Sequence, residues 1–570
     1  MQYRFPVIAI PSSSSLPFNL ITNDIMNCIG KKFMKRWPKM VKSFHKFIFL
    51  LFLLIGVILV AATIAFQIFI PGYISQTIDQ KLLLVNGSSY YGSWSSSGAP
   101  SFTTFRLFHV KNPGDVMRGI LPVHLEEIGP FVFQKIKKQE IIAFHDNNTE
   151  LSFRTWEYYH YRPELSNDAA LDQPITTLNL PHAAACGAII STIDGRWGSW
   201  PARKFVESQI WRLKIKLFIN TTPRKFIFEP YPVPTAPGNF SFSLITRVNA
   251  TNRGVWRVHT GVGDKSKTGQ IISWEGQKSF SCWPGSECNT ISGSDGTFFS
   301  PPIRQESVFT IFAPELNRSI TGHFKEPVVE DGLTKYRFSL FEEDLKKQST
   351  RSCYCLEKKE TDSKYCSLDG VIDISSCNMK ASLVISQPHF FMASSELREP
   401  FRGITPIRTN HESFFDVDPN LGLVTRGMIR TQTNADLALV ARFSPYSDVP
   451  KIIFPSYHQE DSIRGESDSL APIFGYYQSM RLVSMVPLIG YSAGALFSLL
   501  SLILFMFCSS NHRSSDSCDG FVKHNHRSHS YDLVSKSFQG HDLMDFSHSS
   551  CRSSTKTSIC THDRDSEEED

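Results

Sequence analysis

The chain is 570 residues long, 12% aromatic and 20% charged, with a formal net charge of +5. At about 150 residues per domain, that length would make three or four soluble domains, yet two long uncharged apolar blocks exclude a wholly soluble chain. The small net charge excludes a global field for polyanions, so any site for an anionic ligand has to be a local patch.

Residues 1–46 carry eight basic residues, Arg4 to Lys46, against Asp24 alone, and a Ser run at Ser12–Ser15. They read as a mostly disordered basic tail. Phe47–Ile70 then runs without a charge. At about 1.5 Å rise per residue it is long enough to cross a hydrocarbon core of about 30 Å. It starts too late and runs too long for a signal peptide, whose apolar region is about 7–15 residues. Pro71-Gly72 follows, a pair expected to end the helix, and the block reads as an uncleaved anchor. Basic flanks stay cytosolic, which places the tail inside the cell and residues 71–481 outside. Basic runs also bind nucleic acid, but beside a span the membrane reading is the better one.

The outside segment carries every Asn-x-Ser/Thr sequon, at Asn86, Asn147, Asn220, Asn239, Asn249 and Asn317. Glycan acceptors face the lumen or cell exterior, so these six sites test the topology independently. Cys282, Cys288, Cys353, Cys355, Cys366 and Cys377 cluster in the same segment, which in an oxidising compartment reads as disulfides. A zinc site is the alternative, but Cys353-x-Cys355 lacks the usual two-residue spacing and no paired histidines follow. The segment's signals are mainly β: Ile227–Phe228, Phe240–Val248, Val255–His259, Val308–Ala313 and Tyr336–Phe341 are short, β-branched and aromatic. Pro201–Ile210 and Glu342–Lys347 read as helices. No repeat is visible, so one large β-rich domain with helical insertions is expected.

Leu482–Phe507 is the second uncharged block and returns the chain to the cytosol, giving a second span over 482–508. Gly490, Gly494 and Ser498 recur at four-residue steps, the pattern of closely approaching helices. The stripe serves either the two spans of one chain or a homo-oligomer. Cys508 at the inner membrane edge reads as a palmitoylation site. The tail, 509–570, is rich in Ser and His and ends in acidic residues. Its Tyr531-Asp-Leu-Val534 has the form of an endocytic adaptor signal, with Tyr531 and Val534 filling two pockets.

Several motifs resemble those of one family. Phe108-His-Val-Lys-Asn-Pro-Gly-Asp-Val116 is followed by Glu127-Ile-Gly-Pro-Phe-Val-Phe133, with Glu127, Gly129 and Pro130 the most recognisable residues. Gly370–Cys377, Pro388-His389-Phe-Phe391 and Asp416-Val-Asp-Pro-Asn-Leu-Gly422 come next in order. The succession, within this two-span topology, resembles the class B scavenger receptors from about residue 47 to 508. The resemblance implies an antiparallel β-barrel core with a helical cap and an apolar tunnel toward the membrane. It implies ligands among lipoproteins, modified lipids and fatty acids. It pairs Cys288 with Cys353 and Cys355 with Cys366, which leaves Cys377 for Cys282, and Cys186 as a buried free thiol. It also maps the family's basic apical region onto Trp211-Arg-Leu-Lys-Ile-Lys-Leu217. There Arg212, Lys214 and Lys216 are expected to meet anionic lipid, although their period-two alternation reads as strand where the family has helix.

No catalytic or cofactor motif emerges. There is no Gly-x-Ser-x-Gly elbow, no His-Glu-x-x-His and no phosphate loop, and Gly261-Val-Gly263 lacks a third glycine. His182 and His389 read as core histidines rather than metal ligands. The reading is a non-enzymatic plasma-membrane receptor for lipids, fatty acids or lipoproteins, without cofactor, metal or nucleic acid. Its rivals are a lysosomal receptor that escorts an enzyme and a two-pass ligand-gated channel. A pore needs polar lining, and the first span offers only Thr63 and Gln67.

Overall fold

The computed structural model describes residues 22–95, 101–193, 199–235, 238–246, 248–330, 332–346, 353–354, 368–464 and 467–519. Two long helices, Thr22–Lys81 and Ser467–Asp519, flank a body built largely of β-strands. Two stretches, Ser43–Lys81 and Ile473–Phe507, are long and apolar enough to cross a membrane. Only 11% of the most apolar window of each is buried within the protein, so their side chains need lipid around them. This is a membrane protein.

The chain forms two compact units. The smaller combines Met1–Leu54 with Phe497–Asp570. In it, Phe49 lies against Phe505 and Phe52 against Phe497, with ring centroids 5.5 and 5.7 Å apart. Ser501 Oγ donates to the Phe49 carbonyl at 3.1 Å. The larger unit, Ile55–Leu496, holds everything else described below. Its two helices also touch: Gly490 faces Thr63, Gly494 faces Val60 and Gly56, and Tyr491 Oη donates to Gln67 Oε1 at 2.7 Å. The glycine stripe therefore serves pairing within one chain at Gly490 and Gly494. The two polar residues of the first span face the second span.

The sheet path runs, in spatial order, through Val308–Ala313, Arg318–Glu330, Leu333–Leu340, Phe414–Val417, Val424–Asp436, Ile453–Arg464, Ser101–Val110, Val123–His145, Glu150–Tyr161, Thr251–His259 and Ile271–Trp274. Every neighbouring pair along it is antiparallel. Residues 293–294 join its two ends. The Gly293 carbonyl accepts from Ile271 N–H at 2.8 Å, while Ser294 donates its N–H to the Thr310 carbonyl and its carbonyl accepts from Phe312 N–H. Residues 293–294 thus supply hydrogen-bond partners to both end strands of the path. Gly293 is required at the junction. Its φ is +95°, and a β-carbon there would lie 2.2 Å from the Thr310 carbonyl oxygen.

Four local expectations give way to packing. The first helix continues through Pro71-Gly72 to Lys81. Beyond the proline, Ile78 packs against the cluster of Leu82, Phe298, Leu421 and Ile473, and this burial outweighs the proline's lost hydrogen bond. Thr22–Lys46, expected to be part of a disordered tail, lies within the same helix. Ile227 ends a short helix, Pro223–Ile227, in place of a strand. Pro223 stands at its start and Thr222 accepts the Lys225 N–H, while Phe226 and Ile227 are fully buried. The helix expected over Glu342–Lys347 is a turn across 341–346. Asp344 is drawn inward there to accept from Arg318 and from Thr321 N–H.

Candidate functional site

Two helices, Leu180–Ile193 and Ser199–Arg212, form a cap on the sheet. The first is nearly all apolar and buries Ala183, Cys186, Gly187 and Ile190. Gly187 lies against Ser382, where any β-carbon would collide at 2.1 Å. His182 Nε2 and Tyr446 Oη share a hydrogen bond of 2.9 Å, and Tyr446 donates to the Ile215 carbonyl. His182 is thus a satisfied core residue, as its apolar surroundings imply. Burial holds its imidazole down at about 4 and pushes the neighbouring Cys186 thiol up to about 12.

The Ser199–Arg212 helix buries Ile210 and Glu207 and half-buries Val206. Its opposite face is unusual. Trp200, Phe205 and Trp211 are 63%, 59% and 67% exposed, and Lys204 and Arg212 stand among them. At 100° per residue, Trp200, Lys204 and Trp211 fall within about 40° of one another, and Phe205 and Arg212 lie about 100–120° further round. The helix ends at Arg212, and a Schellman turn follows. Lys214 takes a φ of 51°, Ile215 N–H reaches the Ile210 carbonyl, and Lys214 N–H reaches that of Trp211. The period-two alternation over 211–217 is this turn, not a strand, because Ile215 folds back on Ile210 in the core. Arg212, Lys214 and Lys216 are all exposed, close by in sequence to the aromatics. Sequence reasoning found the cations but missed the aromatics, whose helical spacing is visible once the helix is extended to Ser199.

A second cluster is built on the family motifs. Glu127 lies on the Val123–His145 strand, just before a register shift opposite Phe105–Leu107. Gly129, with φ +141°, permits the close passage there, its β-carbon position being 3.0 Å from the Phe105 carbonyl oxygen. Pro388 opens a 3₁₀ turn that holds His389 at φ 54°, anchored by His389 N–H donating to Gln432 Oε1. His389 Nε2 lies 2.7 Å and His458 Nε2 2.9 Å from the same Glu127 Oε2. Arg106 Nε is 3.3 Å from Oε1. His411 stacks on His389 at 4.4 Å between ring centroids. Burial raises the Glu127 pKa, but the two imidazole hydrogen bonds outweigh it and hold the carboxyl well below its usual range. Burial also lowers His458, and burial together with the other two imidazoles brings His411 to about 3.

Glu127, His389 and His458 place their donor atoms within 4.8 Å of one another, as a metal centre would. The hydrogen bonds argue otherwise. Thr405 N–H donates to His389 Nδ1 at 3.0 Å, so the ring's proton sits on Nε2. That nitrogen donates to Glu127 and has no free lone pair for a metal. His389 is therefore not an isolated core histidine but one part of a polar cluster. Its partners His458, His411 and Arg106 were not singled out from sequence.

The sulfurs of Cys282 and Cys377 are bonded, as are those of Cys288 and Cys353. Cys186 is free and buried. Cys355 and Cys366 lie outside the described residues, as do Tyr531 and Val534, and the side chains of Cys508 and Asn239 are not among those described. Asn86, Asn147, Asn220 and Asn249 are exposed, while Asn317 is half-buried. It takes φ 50° and accepts from Trp283 Nε1 through its carbonyl.

The sequence model of the CD36 family matches residues 53–506. The chain belongs to the CD36 family. Among relatives, mouse Lysosome membrane protein 2 is 27% identical over 441 residues, covering 75% of this chain and 88% of that protein. Sensory neuron membrane protein 2 of Manduca sexta is 28% identical over 420 residues, 68% of this chain and 79% of that one. Mouse Scavenger receptor class B member 1 is 25% identical over 492 residues, 81% and 89%. Family membership accounts for the two flanking spans, the strand-rich body and the order of the motifs through Asp416–Gly422.

Proposed function

We propose that this chain is a cell-surface scavenger receptor whose cap captures lipid-bearing particles and whose body passes lipid to the membrane. The observation that carries the reading is the exposure of Trp200, Phe205 and Trp211 on one cap helix, with Lys204, Arg212 and Lys214 close by in sequence. Indole and phenyl rings at a helix surface favour the boundary between lipid headgroups and acyl chains, and neighbouring cations attract anionic headgroups. A soluble surface facing only water gains nothing from three exposed aromatics on one helix. The relative named a scavenger receptor supports the receptor class.

The test is uptake of fluorescent lipoprotein and of free fatty acid by cells displaying the chain, compared with cells displaying R212A/K214A/K216A and W200A/W211A. Saturable uptake that falls in both variants supports the reading. Unchanged uptake by both variants, at matched surface levels, overturns the cap as the capture surface. A second reading, residence in the lysosomal membrane with an enzyme as cargo, rests on the identity to Lysosome membrane protein 2. Antibody labelling of unpermeabilised cells separates the two.

A further inference from the structure

Residues 403–411 pass the Glu127–His389–His458 cluster as a mostly exposed segment between the short strand Phe401–Arg402 and the strand Phe414–Val417. Two of its hydrogen bonds are made to imidazoles. Thr405 N–H donates to Nδ1 of His389 at 3.0 Å, and Ile407 N–H donates to Nδ1 of His411 at 2.9 Å. The two rings are stacked 4.4 Å apart. An amide N–H can only donate, so both rings are neutral with their protons on Nε2. A further proton can enter only at Nδ1, the atom that each backbone amide already occupies. Protonation and fastening are mutually exclusive.

From this geometry we propose that residues 403–411 are an acid-released strap, docked through the buried His411, which stacks on His389, and freed when the His411 ring takes up a proton. The surroundings sharpen the response. His411 faces His389 from the 3₁₀ turn, His458 from Ile453–Arg464, Glu127 from Val123–His145 and Arg430 from Val424–Asp436. Arg106 reaches Glu127 from Ser101–Val110. On the strap's own side, Glu412 accepts from Arg408, and Arg430 donates to the Glu412 carbonyl and to Glu460. Two cationic rings stacked at 4.4 Å would repel each other, and Arg430 adds a third positive charge. Glu127 is the one carboxylate in direct contact with His389, and Arg106 partly neutralises it.

The sign follows from proton counting. The closed strap binds fewer protons than the open one, so acid favours opening. The effect begins below the ordinary imidazole value of about 6.5 and grows about tenfold per pH unit as His411 takes up its proton. That is about 30-fold between pH 6.5 and 5.0. Opening releases the Thr405 and Ile407 amides from the two imidazoles, so the surface offered to a ligand differs between neutral and acidified surroundings. This response does not depend on which ligand the cap binds.

The experiment is hydrogen–deuterium exchange by mass spectrometry on the full glycosylated chain in nanodiscs at pH 7.4 and 5.0, normalised to intrinsic exchange. Peptides covering 403–411 are expected to lose about 30-fold or more of their protection at pH 5.0, while those covering Ser101–Val110 keep theirs. In H411Q the amide oxygen still accepts the Ile407 N–H but does not titrate, and the loss should shrink by about 30-fold. Equal protection of the wild-type strap at both pH values overturns the proposal, as does an undiminished loss in a folded H411Q. Should H411Q fail to reach the surface, the wild-type comparison decides alone.

Discussion

Gly490 in the last helix approaches Thr63 in the first so closely that a β-carbon there would fall 2.0 Å from Thr63 Oγ1. Gly494, one turn on, lies as near to Val60, at 2.7 Å from its Cγ2. Close helix approach through small residues is the main source of attraction between spans, since lipid tails are as apolar as leucine. Gly490→Leu is expected to force the helices apart at a cost of about 1–3 kcal/mol. Gly490→Ala should cost less. Thermal unfolding of the detergent-solubilised full chain checks the order: wild type, then G490A, then G490L. If G490L unfolds with wild type but loses self-association, the stripe belongs to an interface between chains.

The spans were legible because a hydrocarbon core needs long uncharged runs and little else does. The strand Val308–Ala313 and the Val255–His259 part of Thr251–His259 were legible for a similar reason, since alternation or β-branched runs between turn residues have few other solutions. The junction at Gly293 and Ser294 was not, because it depends on two backbone groups meeting Ile271 and Phe312 across the fold. The Glu127 cluster was half legible. Its motif residues stood out, but His458 lies 331 residues from Glu127, and no local pattern links them. The 211–217 segment failed for a different reason. A helix ending in a Schellman turn can mimic strand alternation when the residue after the turn must be apolar.

Arg318 and Asp344 form a buried ion pair at 2.9 Å, their side chains 3% and 9% exposed. The Arg318 guanidinium also lies over the Tyr354 ring, 3.6 Å from its centroid, next to the Cys288–Cys353 disulfide. Removing the cation leaves a buried carboxylate with only the Thr321 amide and hydroxyl to satisfy it. Arg318→Ala is expected to cost about 3–5 kcal/mol. Arg318→Lys keeps the charge but loses the planar stacking, so it should cost less. Differential scanning fluorimetry of the purified chain decides. Equal melting temperatures for wild type and R318A would show that the pair contributes nothing net.

Cys186 is buried in the cap core, with its thiol pushed up to about 12 by burial. The reactive species is the thiolate, which at pH 8 is about one part in ten thousand for such a thiol. A maleimide probe is therefore expected to leave Cys186 unlabelled in the folded chain at pH 8. It should label Cys186 fully after denaturation without reductant. Mass spectrometry of the peptide spanning Leu180–Ile193 reads the result. Rapid native labelling would mean that the cap opens readily and that the Leu180–Ile193 helix is less firmly packed than its contacts imply.

Glu127 is the acceptor for two imidazole N–H groups and partner to Arg106. Glu127→Ala leaves the buried His389 and His458 donors without it, at about 1–3 kcal/mol for each unsatisfied group. Glu127→Gln keeps a carbonyl oxygen for one donor and should lose about half as much. The pH dependence has a definite sign. The folded carboxyl titrates well below its unfolded value, so its contribution is fully present above about pH 4.3 and fades as acid protonates it. His411 and His458 act in the opposite range of pH. Their neutral folded forms lose stability relative to the unfolded chain as pH falls below about 6.5. Between pH 6.5 and 4.5 the destabilisation of the wild type thus comes from imidazoles alone, and E127Q should keep its slope while starting lower. Melting curves of both proteins across that range test this, and a flat wild-type profile would remove the histidines as the acid-sensitive groups.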